Sequence, residues 1–148
     1  EGKDRVFLNT DDVTEDIRSN EISQLASKFA KIELVRNVLT EMQKRLVKNK
    51  NYITEGRDMG TYVFPDADHK FYLEADPIVR AERRSLQLTQ TLGMKFNPQK
   101  ILEEINQRDN LDKTRKICPL HPADDAIIID TTNLSVDDVV ENIINRIK

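Results

Sequence analysis

The 148-residue sequence predicts an α/β domain built on a parallel sheet. Three observations carry that prediction. Short β-branched or aromatic runs alternate with longer stretches of helical period. One run, Ala126 to Asp130, is apolar on both faces, as a buried parallel strand would be. Two helical stretches open with Asp76-Pro77 and Asn97-Pro98, an N-cap followed by proline at the first helical position.

The elements follow in order. Arg5 to Asn9 reads as a strand, Thr10 to Asp12 as a turn, and Val13 to Arg18 as the returning arm of a small hairpin. From Ser19 the period changes. Leu25, Phe29, Ile32, Val35 or Arg36, Leu39, Met42 and Leu46 step by three and four, which predicts the apolar face of one long helix. Lys31, Glu33, Lys44 and Lys48 form its solvated side. Tyr52 to Thr54 suits a short strand, followed by the charged turn Glu55-Gly56-Arg57-Asp58 and the apolar run Thr61 to Phe64, stopped by Pro65-Asp66. Lys70 to Ala75 is a further strand. The helix after Asp76 carries Arg80, Arg83 and Arg84 and breaks at Gly93. The helix after Asn97 turns Ile101, Leu102 and Ile105 inward, and Arg108, Asp109, Asp112 and Arg115 extend its line. Cys118 to Pro122 is a loop. Ser135 and Asp138 make a capping-box-like start to a last helix, whose inward face is Val136, Val139, Val140, Ile143, Ile144 and Ile147. The organisation divides into residues 1–50, with the hairpin and long helix, and residues 51–148, the α/β core.

Composition removes several function classes. With 23 basic and 26 acidic residues the net charge is −3, which gives no support for a nucleic-acid or acidic-membrane surface. One cysteine and two histidines leave no disulfide within the chain and no zinc site, and point to a reducing compartment. No apolar run approaches the ~20 residues of a membrane span. The opening Glu1-Gly2-Lys3-Asp4-Arg5 has no secretory leader, so the expected setting is cytoplasmic.

The charges expected near strand ends are Arg36, Arg57, Asp58, Arg80, Arg83, Arg84, Arg108, Asp112 and Arg115. Open α/β sheets place ligand chemistry there. Arg80 and Arg84 share a helix face, as do Arg108, Asp112 and Arg115. Arginine dominates these places and lysine the outer side of the long helix. A guanidinium binds phosphate bidentately where a lysine is a point charge. For one arginine alone, a surface salt bridge worth little is the better reading. For several on different elements, a polyanion such as a nucleoside phosphate is better.

The segment EGRDMGTYVFPDADHKFYLEADPIVRAERR is similar to the heart of bacterial cytidylate kinases. The likeness runs through VFLN, DVTEDIR, EIS and AS at the start, V-R in the long helix, RDNLDKTR, PLHPADDA and DTTNLS. The resemblance implies transfer of the γ-phosphoryl group of ATP, with Mg²⁺, to CMP or dCMP. It implies a P-loop nucleoside monophosphate kinase fold, a monomer, with a lid around 80–116 and residues 1–50 as the remainder of a CMP-binding insert and the long helix. Ser27, Arg36 and Asp58 match the cytosine readers, and the chemistry agrees, since an exocyclic amino group wants a carboxylate and a ring carbonyl an arginine. Arg57 and Arg115 match ligands of the CMP phosphate, and Asp112 and Arg108 match sugar and phosphate contacts. Arg80, Arg83 and Arg84 match the lid side, where they would neutralise the transferring group. Glu55 matches a carboxylate that orients waters on Mg²⁺, with no direct protein ligand to the metal. Thr131, Thr132 and Asn133, after Asp130, match the loop bordering the adenine.

The sequence departs from the family in one respect. No G-x-x-x-x-G-K-[ST] occurs in it; none of its four glycines, Gly2, Gly56, Gly60 and Gly93, precedes Lys-Ser or Lys-Thr. The family carries that loop before the segment matched here. The expectation is therefore a fold incomplete at its N-terminus, with strand edges left open and little or no activity from this chain alone. Two other readings stay open: a CMP-binding piece with no catalysis of its own, and a kinase for another nucleoside monophosphate. A purely structural role leaves the arginines unexplained.

Overall fold

The computed structural model describes residues 5–93 and 97–147, apart from the side chains of residues 20, 23, 24, 27, 91 and 92. The chain forms two compact units, 1–50 and 51–148.

In the first unit, β1 (Phe7–Leu8) pairs antiparallel with β2 (Asp11–Asp12), Phe7 opposite Asp12 and Leu8 opposite Asp11. The hairpin turns earlier than the sequence predicts. Asn9 adopts left-handed backbone with φ 56°, which its short polar side chain tolerates, so Asp11 already lies across from Leu8. Thr14 locks the hairpin. Its hydroxyl accepts from the Val6 amide at 2.8 Å and donates to Asp12 at 2.5 Å. That hydroxyl, with Arg5 second, holds the Asp12 carboxyl below the usual carboxylate range.

The single long helix is two helices, α1 (Asn20–Phe29) and α2 (Glu33–Val47). Ser19 caps α1 by accepting from the Ile22 amide at 3.2 Å. Between them the amides of Lys31 and Ile32 reach back three residues, to Lys28 and Phe29, and Ile32 is extended. A step of three, Phe29 to Ile32 to Val35, passes through such a break unchanged, so the apolar pattern did not reveal it. The covered side also differs. Arg36 and Thr40 are buried, while Leu39, Met42 and Leu46 are exposed, because among the described residues of 1–50 no other helix or strand packs closely on α2.

In the second unit, Tyr52 to Thr54 is not a strand. Extended backbone needs a neighbour to take its amides and carbonyls, and the described residues supply none; Ile53 is 97% exposed. Met59–Val63 is a π-helical turn. The Asp58 carbonyl heads it, accepting from Tyr62 at 3.0 Å and Val63 at 3.2 Å. Single π turns recur at functional sites because they reposition one side chain without ending the element. Here the residue they position is Asp58.

β3 (Phe71–Glu74) pairs in parallel with β4 (Ile127–Asp130), from Phe71 opposite Ile127 to Glu74 opposite Asp130. This confirms a parallel pairing but not burial on both faces. Ile129 is buried, whereas Ile127 and Ile128 are exposed, because among the described residues the sheet has two strands. Asp76 and Asn97 cap α3 (Pro77–Leu92) and α4 (Pro98–Thr114), accepting from Ile78 at 2.7 Å and Gln99 at 2.9 Å. Gly93 ends α3 at φ 66°, a conformation that disfavours any residue with a Cβ. α3 packs on α4. Among the described residues the buried apolar ones are Val63, Ala81, Ile101 and Ile129. α5 (Val136–Ile147) starts at the reciprocal Ser135–Asp138 box. Its expected inward face is not covered: no α5 residue is buried, and Val136 is 78% exposed. Lys70 pins the unit's entry, donating to Asp125 at 2.7 and 2.9 Å and to the Pro65 carbonyl.

Candidate functional site

The site of the 51–148 unit grows from the turn 55–58 and the last two turns of α4. The π turn holds Asp58 inward. The helical spacing of Arg108, Asp109, Asp112 and Arg115 presents two carboxylates between guanidiniums. Arg57 lies between those carboxylates, its Nε 3.4 Å from Asp112 and a terminal nitrogen 3.6 Å from Asp109. Arg80, from α3, donates to Asp109 at 2.5 Å and to the Ala75 carbonyl at 3.1 Å. Arg108 lies 3.9 Å from Asp112. Arg115 faces both Asp58, at 3.7 Å, and Asp112, at 3.8 Å.

Arg115 is fixed by a local device. Its Nε donates to the Cys118 carbonyl, and Cys118 sits in left-handed backbone at φ 50°. The Leu120 amide bonds the Asp112 carbonyl at 2.8 Å, closing the same turn. Cys118 thus contributes its backbone carbonyl.

The cluster is unusual in being both buried and unsatisfied. The Arg115 side chain is 9% exposed and that of Asp112 12%. One terminal nitrogen of Arg115 and Oδ2 of Asp112 are buried without a hydrogen-bond partner. A buried polar group left unpaired costs about 1–3 kcal/mol, more if charged. Apart from Arg80 on Asp109, the ion pairs of the cluster lie at 3.4 to 3.9 Å, longer than the roughly 2.7–3.2 Å usual for a hydrogen bond. Arg115 therefore keeps a donor and Asp112 an acceptor unspent.

The expected residues divide into those brought together and those that are not. Arg57, Asp58, Arg80, Arg108, Asp112 and Arg115 form one network. Arg84, sharing a face with Arg80 by spacing, instead pairs with Gln87 at 2.8 Å. Arg83 turns to the loop after β4, donating to Thr131, Thr132 and Leu134. Glu55 is exposed on the turn. Arg36 belongs to the other unit, where its Nε donates to the Ala30 carbonyl at 3.2 Å, capping the carbonyl near the α1–α2 break. Ser27 lies on α1, and its side chain falls outside those described. Among the described residues no group of three His, Cys, Asp or Glu is placed to hold a metal ion, and no helix is long and apolar enough to cross a membrane.

Asp109 is the residue that sequence reasoning left without a role. It is the shared counter-ion of Arg57 and Arg80. Its signal was present: it stands three residues before Asp112 on the same helix face.

The parallel strand pair and the packed helices α3 and α4, in one unit with the arginine–carboxylate cluster, define the chain as an α/β protein. Comparison with known proteins makes this particular. The cytidylate kinase family model matches residues 1–148, and the chain belongs to that family. It is 44% identical over 144 residues to the cytidylate kinase of Thermotoga neapolitana, covering 97% of this chain and 65% of that protein. It is 44% identical over 144 residues to that of Caldicellulosiruptor bescii (97% and 63%) and 42% identical over 143 residues to that of Clostridium botulinum (97% and 65%). The chain thus spans just under two thirds of the length of the curated relatives it matches.

Proposed function

We propose that this chain is the acceptor-binding and core part of a nucleoside monophosphate kinase of the P-loop fold, which transfers the γ-phosphoryl group of ATP to CMP or dCMP. The observation that carries the reading is the buried cluster in which an Arg115 nitrogen and Asp112 Oδ2 lack hydrogen-bond partners. Arg57 and Arg115 hold the phosphate of the acceptor. Asp112, with Arg108, takes a sugar hydroxyl, a carboxylate being its natural acceptor. Asp58 accepts from the amino group of cytosine. Uracil turns a carbonyl toward that carboxylate, and two facing acceptors repel. Ser27 and Arg36 keep the base-reading role that the family resemblance gives them. Arg80 and Arg84 serve the transferring group from the lid side, Arg80 by leaving Asp109 for phosphate.

No nucleophile is required of the protein, since phosphoryl transfer rests on positioning and charge neutralisation. Mg²⁺ supplies charge neutralisation at the phosphates. It usually keeps several waters, and Glu55, exposed on the turn, would orient them.

The 148 residues contain no G-x-x-x-x-G-K-[ST]. Without those amides and that lysine the β- and γ-phosphates lack their cradle, so this chain alone binds CMP and turns over little. Calorimetric titration with CMP and UMP tests the binding. CMP binds more tightly, and Asp58→Ala removes the preference; equal affinity for both nucleotides in the unmodified chain defeats the cytosine reading. A coupled ADP-release assay with CMP and ATP tests the second point, and robust turnover refutes it.

A further inference from the structure

We infer that Arg83 is a positioning residue, which fixes the loop after β4 and through that loop sets how tightly an adenine nucleotide is held. The inference rests on the reading that Thr131 to Asn133 border the adenine. Arg83 stands on α3 but spends its guanidinium on that loop. One terminal nitrogen donates to the Thr131 carbonyl at 2.7 Å, the Leu134 carbonyl at 3.1 Å and the Thr132 carbonyl at 3.3 Å. The other donates to the Thr131 hydroxyl at 3.2 Å.

Three carbonyls converging on one point repel one another unless a cation sits there. Drawing them onto Arg83 fixes the peptide planes of the loop and so the directions of its N–H groups. A guanidinium does this with a rigid planar fork that an ammonium lacks.

The neighbouring bonds point the same way. The Thr131 hydroxyl donates to the Glu74 carbonyl at 2.9 Å, so it can only accept from Arg83. The Thr132 hydroxyl donates to Asp130 at 2.6 Å and accepts from the Asp76 amide at 3.0 Å. Both parallel strands are thereby tied together at their carboxyl ends, where open α/β sheets bind ligands. Arg83 attaches the body of α3 to that knot, while Arg80, one turn earlier, attaches α3 to Asp109 on α4. Donor-side loop and acceptor-side cluster are linked through a single helix.

The test is ¹⁵N NMR of the chain and its Arg83→Ala and Arg83→Lys variants, titrated separately with ADP and CMP, with amide hydrogen exchange over 131–134. Arg83→Ala is expected to speed exchange at Leu134 about tenfold and to weaken ADP about tenfold, with CMP affinity changed less than about twofold. Arg83→Lys restores charge without the fork and recovers only part of the loss. Unchanged exchange in Arg83→Ala overturns the inference. So does equal weakening of ADP and CMP, which marks general destabilisation, and so does unaltered ADP affinity in a variant whose loop has loosened. ADP shifts elsewhere than 131–134 in the unmodified chain, or no ADP shifts at all, defeat the adenine-side reading itself and, with it, this role for Arg83.

Discussion

In the cluster around α4, Asp58, Asp112 and the Arg115 side chain are buried; in the sheet and final helix, Ile128, Val140 and Ile144 stand open to solvent. Hydropathy alone would assign these places the other way round. Burying an unpaired charge costs several kcal/mol, so a chain accepts it where opposite charges are held close and a ligand completes them. Asp109 and Asp112 between them face Arg57, Arg80, Arg108 and Arg115. Apolar side chains left exposed, by contrast, bury little area and contribute little to holding their region together. The two regions therefore hold together by different means, one by electrostatic neutralisation and one by the β3–β4 ladder with a single buried side chain on β4.

That difference can be broken from either side. Arg115→Ala leaves Asp58 and Asp112 buried without their shared cation. It is expected to cost about 4 kcal/mol of stability and to abolish CMP binding, read by urea unfolding and calorimetry. A loss below about 1 kcal/mol would mean that the cluster is open to water rather than buried. Ile129→Ala removes the one buried side chain of β4. It should cost about 3 kcal/mol while leaving the Arg115 environment, followed by its NMR side-chain resonances, unchanged.

Acid separates the regions further. Lys70 holds the Asp125 carboxyl below its usual range, the Thr132 hydroxyl does so for Asp130, and the Ser135 hydroxyl for Asp138. A carboxyl with a lowered folded pKa binds its proton more weakly than in the unfolded chain. Its contribution is complete above the ordinary aspartate value of about 3.9 and is lost as pH falls through the lower folded value. Thermal melts should therefore be flat from pH 7 to about 5 and decline only below that, modestly because these carboxyls are exposed. A melt that already declines between pH 7 and 6 would assign the loss to other groups. The smallest effect is at the surface. Val140→Lys with Ile144→Lys should change stability by no more than about 0.5 kcal/mol per site and raise solubility; a large loss would show that the exposed face of α5 is covered in solution.

Much of this was legible in the sequence because it is local. Asp76-Pro77, Asn97-Pro98, Gly93 and the Ser135–Asp138 box act within one helical turn, and each falls at an element boundary. A parallel sheet followed from apolar runs separated by helices; that 71–74 lies beside 127–130 is what the structure adds. Of the seven arginines singled out by type and spacing, Arg57, Arg80, Arg108 and Arg115 meet in one network while Arg36, Arg83 and Arg84 do not; the family was legible in its motifs. What the sequence could not fix was everything that depends on a partner. Tyr52 to Thr54 has strand composition but no strand beside it. The stripe of the 19–47 region passes unaltered through the break at 30–32. Periodicity names a face without saying what covers it. Nor does spacing on α3 say where a guanidinium goes: Arg80, Arg83 and Arg84 find Asp109, the 131–134 carbonyls and Gln87 respectively. Local free energies are written in neighbouring residues, whereas burial and charge pairing are set by groups distant in sequence, and these only the tertiary structure brings within reach.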